Sequence, residues 1–418
     1  YGQGVTGASF DAVFGIIPPG VGTIPARPAI ATTRPFVTST GSTVTLNTGN
    51  TLRGLNLTST GGPTLNGTNF GTLTASDISI TGGLPALSLN NGTAAATFDV
   101  VSSTGGTTGV ALTTLGGTLT MNGGAISGST TGFLVSGGAG TVSYAGTITS
   151  AAGARTVNVT SKTGGTVTFS GAVTDNGIGV SLTTNTGATI NFTGPIVAST
   201  GTNGAFTATG GGTVSATSTA STLATTTGTA LSVANTTIGA AGLTFRSIAA
   251  NGAANGIVLN TTGAGGLTVT GTGVTAGSGG TIQNISGRGV SAVSAQNISL
   301  SNMNITNTAT SAGAPCGSAA VAGANTGCNA AVHLDTVTNV TLDRVNLTTS
   351  AQQGINGINV TNFSLTNSAL SGLGNGPDED GLHFHNMLGT NVITNTTIAS
   401  SGDDNVNVQN LSSTAGTL

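Results

Sequence analysis

The chain is short of charge. Of 418 residues, eight are basic and eleven acidic, 5% in all, with one lysine (Lys162) and one glutamate (Glu379); a soluble globular domain carries roughly 25%. The solvated helices of an ordinary α/β enzyme cannot be built from so few Lys and Glu. Aromatics are 3% and tryptophan is absent. No seven-residue pattern of Ala, Glu, Lys, Leu and Arg runs through the sequence, which excludes a coiled coil. Glycine does not recur at every third position, which excludes collagen. Eight basic residues and a net charge of -3 give no footprint for nucleic acid. No apolar run approaches the ~18 residues of a membrane helix. No Lys/Arg-led signal peptide is visible and the first residue is Tyr1, so the expectation is a processed or partial protein of the extracellular space or cell surface, of secreted bacterial type.

Cysteine is almost missing too. Cys316 and Cys328 lie twelve apart in a Gly/Ala/Asn-rich stretch. In an oxidising compartment this spacing suits a local disulfide, and in a reducing one two buried thiols.

What the chain has is 70 glycines, abundant Thr, Ser and Asn, and a regularly placed 37% of hydrophobic residues. One phrase recurs: a short alternating run, a Gly/Thr/Asn turn, a second alternating run, and a small apolar pair. It is visible in GVALTTLGGTLTMNGGAIS (109–127), RTVNVTSKTGGTVTFSGAVT (155–174) and DGLHFHNMLGTNVITNTTIAS (380–400). Alternation with period two, as in Thr166-Val167-Thr168-Phe169, marks half-buried strands. The intervening Gly and Asn supply the positive-φ corners. Three short strands and three corners in roughly 23–27 residues describe one coil that cannot bury its own apolar face and must stack on its neighbours. The predicted fold class is therefore all-β: a single-stranded parallel β-helix (β-solenoid), right-handed, of about 15 coils. Low charge follows from stacking, because a column of Lys or Glu every ~4.8 Å would repel itself while Thr, Ser and Asn columns exchange hydrogen bonds.

Residues 1–36 do not fit the phrase. They hold five prolines and an apolar knot at Phe10, Val13, Phe14, Ile16 and Ile17, read as an end cap or as an arm for assembly on another subunit. Residues 37–418 form the solenoid, with side insertions near 275–288 and 307–330. The last coil shows no cap, which suits a piece of a longer protein or end-to-end self-association. Thr43/Thr45, Thr118/Thr120, Thr147/Thr149 and Thr166/Thr168 raise ice binding as a minor alternative, although the pairs fall unevenly around the coil.

Charge gathers at one end. Asp335, Asp343, Asp378, Glu379, Asp380, Asp403 and Asp404 lie there with all three histidines, His333, His383 and His385. Aligning 380–386 on 404–410 stacks Asp404 on Asp380, Asp403 on Glu379 and Asn407 on His383, with Gln352, Gln353 and Asn356 one coil earlier. Leu382, Phe384, Val406 and Val408 then face inward and His383 and His385 outward. Stacked carboxylates need relief from solvent, a shifted pKa or a cation. The alternatives are corner caps, a calcium site at Glu379, Asp380, Asp403 and Asp404, or a catalytic site; no other cofactor is expected.

The run PDEDGLHFHNMLGTNVITNTTIASSGDDNVNVQN (377–410) resembles the segment of polygalacturonase-type glycoside hydrolases in which an N-T-D motif is followed about one coil later by G-D-D. The resemblance implies an inverting, right-handed β-helical hydrolase, with Asp380 at the first aspartate position, Asp403 and Asp404 as the pair, and His383 in the cleft. Asp378-Glu379 stand where that family has Asn-Thr, and its G-H-G and R-I-K motifs are absent. More broadly, residues 40–418 resemble bacterial surface β-solenoids such as autotransporter passengers and repetitive adhesins. This implies a non-catalytic stalk, adhesin or filament subunit, with a surface glycan receptor or a second copy as partner.

Overall fold

The computed structural model describes residues 33–82, 84–311, 316, 326–410, 416 and 417. The knot at Phe10, Val13, Phe14, Ile16 and Ile17, and almost all of the 1–36 segment, lie outside these.

The chain folds as a right-handed parallel β-solenoid of about 16 turns. No helix occurs among the described residues. Alternating Val, Ile, Leu and Phe form strands, most of them three to six residues long, that pair in parallel with their counterparts one coil away. Residues with positive φ turn the chain between sides. Two compact units, dividing between Ala172 and Val173, build up in this way.

In the first unit, Val110 pairs with Phe133 and Phe133 with Val157, intervals of 23 and 24 residues. The inner faces interlock through aromatic rings. Phe133 lies 5.3 Å from Tyr144 and meets Phe169 edge-on at 5.2 Å, an arrangement that aligns ring edges with ring faces. In the first coils strand pairing runs on through the corners. Leu65–Gly82 and Leu87–Thr104 are each continuous over 18 residues, yet turn at Asn69, Asp77 and Asn91, all with φ near +55°. Asn tolerates this left-handed region better than most residues. Lys162 is buried in this unit, where its Nζ donates to the carbonyl of Gly140 at 2.6 Å, and burial lowers its pKa. The buried Tyr144 hydroxyl donates to the Val101 carbonyl at 3.1 Å, and burial raises its pKa.

In the second unit one inner column runs Val180, Phe206, Leu231, Ile257, Val290, Val332, Ile355, Leu382, Val406. Two intervals in it are long, 257 to 290 and 290 to 332, and these hold the two insertions. The extra residues of the first lie between Val269 and Thr281, somewhat before the 275–288 expected. They form a small loop in which the Ser278 hydroxyl donates to the Thr275 carbonyl and accepts from the Thr272 amide. The second follows the strand Asn304–Thr308 and rejoins at Ala330–Asp343. Its Cys316 and Cys328 are joined in a disulfide with Cα atoms 5.2 Å apart.

Outside the core, corner asparagines stack. Asn339 Nδ2 donates to Asn297 Oδ1 at 2.8 Å and Asn362 Nδ2 to Asn339 Oδ1 at 3.0 Å. Asn307 donates to Asn284, and Asn284 to Asn251. Each carboxamide presents an acceptor to one neighbour and a donor to the other, so a column of identical residues satisfies itself.

Candidate functional site

Three successive strands of the second unit carry the polar cluster: the start of Ala330–Asp343, the start of Gln353–Thr366, and Leu382–Leu388. Their parallel register places His333 beside Asn356, Asn356 beside His383, and His383 beside Asn407, the stacking expected from the offset of 24. Phe384 faces inward, its ring 5.0 Å from Phe363, so His383 and His385 face outward, also as expected. Their environment is not what an outward direction suggests. His333 is 1% exposed, and His383 and His385 are 0% exposed. Val406 and Val408, on the inner face of the last described coil, are instead 45% and 40% exposed.

Hydrogen bonds within and between coils hold Asp380, Gln353 and the neighbouring corner carboxylates. Asp380 Oδ2 lies 2.5 Å from His383 Nδ1, and Oδ1 accepts the Asp404 amide at 3.0 Å. The Asp380 amide donates to Gln353 Oε1, whose Nε2 donates to the Asp378 carbonyl. Asp403 Oδ2 accepts the Asp378 amide. Glu379 Oε2 accepts the amides of Asn375 and Gly376. The carboxylates of Glu379, Asp380 and Asp403 thus cap backbone N–H groups at corners, where Asp and Glu replace the water an exposed turn would use.

Oxygens of Asp380, Asp403 and Asp404 lie within 4.8 Å of one another, with Asp380 buried and the other two exposed. Hard oxygens at this separation suit a divalent cation, but both Asp380 oxygens already accept hydrogen bonds. Glu379, expected as a fourth ligand, is not part of the group and points its carboxylate into the 375–376 turn.

His333 sits differently from His383. The Asn356 carboxamide nitrogen is 3.1 Å from its Nδ1, which makes Nδ1 an acceptor and places the proton on Nε2. Burial, and then the nearby Arg288 guanidinium, push its pKa down to about 3. Arg288 is itself half-buried. Desolvation lowers its pKa, opposed by attraction to Asp335, and its Nη2 donates to the carbonyls of Thr326 and Cys328. No motif in the sequence marks Arg288. Its one signal there is rarity, a basic residue near the insertion in a chain with eight. Farther away, register places Thr118/Thr120 beside Thr141/Ser143 on one side of the first unit, while Thr147/Thr149 belong to another side.

Comparison with protein families, curated proteins and solved structures finds no match for this chain.

Proposed function

We propose that the chain is a structural and adhesive β-solenoid of the extracellular space or cell surface, serving as a stalk, adhesin or filament subunit, and that its acidic end is architectural. The carrying observation is Asp380: 0% exposed, with one oxygen on His383 and the other on the Asp404 amide. A general acid must touch the glycosidic oxygen it protonates, and Asp380 reaches no surface. Asp403 is likewise engaged at a corner. The disulfide suits an oxidising compartment. Along the sides, columns of Thr, Ser and Asn offer a long array of hydroxyls and carboxamides, a surface suited to many weak polar contacts with glycans or with another copy.

Incubation with polygalacturonate tests the reading: no reducing ends should appear, with the parent chain and Asp404→Asn alike. The purified chain should be retained on a surface glycan array or form fibres of constant width in electron micrographs. Reducing-sugar release that Asp404→Asn abolishes would overturn it.

A further inference from the structure

We propose that a hollow at the 239–242 bulge of the second unit is a binding site for one ring of a neutral saccharide. It rests on the adhesive reading and narrows it to one place on the solenoid. The hollow measures about 670 Å³, within the range of ligand sites, and an interruption of the register builds it. Val214 pairs with Ile238 and Ala216 with Leu243, so the single residue Ser215 faces four, residues 239–242. Pairing with the following coil resumes at Leu243 and Leu267. Bulges re-aim the chain locally and are over-represented beside functional sites.

Two pairs of threonines flank the bulge. Thr213 stands beside Thr237 before it and Thr244 beside Thr268 after it, each pair in register on adjacent coils, and all four line the hollow. None of these hydroxyls has a hydrogen-bond partner among the described residues. Ser215 adds a fifth. It is 6% exposed, and alternation along its strand turns it outward. A Cβ at Gly239 would overlap its Oγ, so the hydroxyl points at the floor of the hollow, again without a partner among the described residues. The methyls of Ala240 and Ala241, both exposed, form the apolar wall. Asn297 at the edge is already engaged, donating to the Ala264 carbonyl and accepting from Asn339.

This lining selects a class of ligand. No Asp, Glu, Lys, Arg or His takes part in it, so a charged ligand finds no ion pair there and loses hydration on entry. What the hollow offers is hydroxyls, each able to donate and to accept, set around small apolar groups. A pyranose ring has the matching distribution, with hydroxyls around its edge and C–H groups on its faces. With its edge hydroxyls toward Thr213 and Thr237 on one side and Thr244 and Thr268 on the other, a C–H face lies on Ala240 and Ala241. No aromatic ring lines the hollow to stack on the sugar. A single site therefore binds weakly, and retention on a surface depends on many copies engaging at once.

Methyl glycosides of glucose, galactose and mannose are the probes, with galacturonate as the charged control. Alanine methyl signals of the full chain, followed in NMR titrations, are the readout. At least one neutral glycoside should shift the Ala240 and Ala241 methyls saturably, and galacturonate should bind no more tightly. Thr244→Val/Thr268→Val should weaken that binding by about threefold to tenfold, and Ala241→Phe, at an exposed position, should abolish it. Thr118→Val/Thr141→Val, a registered pair on the first unit, should leave it unchanged. The remaining alanine methyls report whether each variant keeps its fold, and Ala240→Glu supplies a second block should Ala241→Phe lose it. Equal weakening by both threonine pairs, tighter binding of galacturonate, or binding that survives the block overturns the site. So does the absence of any shift at Ala240 and Ala241; retention on a glycan array would then leave the adhesive reading standing, whereas an empty array without fibres would remove both.

Discussion

At the scale of single residues, this fold depends on what can stand at positive φ. Asn339 has φ of +60° and links Asn297 to Asn362. Replacing it with alanine removes two exposed hydrogen bonds and leaves a Cβ in the left-handed region. The expected loss is about 2 kcal/mol, and about 1 kcal/mol for Asn339→Gly, which keeps the backbone free; urea denaturation of the two variants checks the difference. Asparagine at corners was legible in the sequence because its conformational tolerance is local. Burial of the histidines was not. Period-two alternation gives the direction of His383 but says nothing about what lies over the outer face.

His333 makes a second residue-scale expectation. Its pKa is about 3 when folded against the ordinary 6.5, so in between the unfolded chain binds a proton that the folded chain does not. Its contribution is complete above about pH 6.5 and declines as pH falls toward about 3, by on the order of 4 kcal/mol in the disulfide-bonded protein. His333→Gln should flatten that part of a plot of stability against pH.

At the scale of the coil, volume must balance between neighbours. Gly357 stacks on Phe384 in the inner column, and a Cβ at Gly357 would overlap the Phe384 ring. Gly357→Val should cost about 3 kcal/mol in thermal or denaturant unfolding and should be relieved in part by Phe384→Leu. The strands themselves were easy to anticipate. Thr166–Phe169 and Thr189–Phe192 fall where alternation places them, because that pattern records which side chains enter the core. The fusion of strands around the corners of residues 65–104 was not legible, since whether pairing continues through a corner depends on the coil above. For the same reason the disulfide could be anticipated from a spacing of twelve, whereas Arg288 holds a carbonyl 40 residues away.

At the scale of the whole molecule, low charge has a measurable counterpart. Ion pairs such as Arg53–Asp77 and Arg344–Asp343 are partly exposed and contribute little. Raising sodium chloride from about 0.05 to about 1 M screens surface charge, yet should shift the thermal midpoint by no more than about 2 °C. A larger fall would mean that electrostatics, rather than apolar stacking, hold the coils together.

Because corner asparagines such as Asn284 and Asn339 are satisfied by asparagines one coil above and one coil below, the register contains its own template. In-frame copying of a short stretch of the gene, such as the 24 codons separating Leu382 from Val406, would insert a turn whose partners already exist on either side. The number of turns is thus a quantity that heredity can adjust in fixed increments, without inventing new contacts.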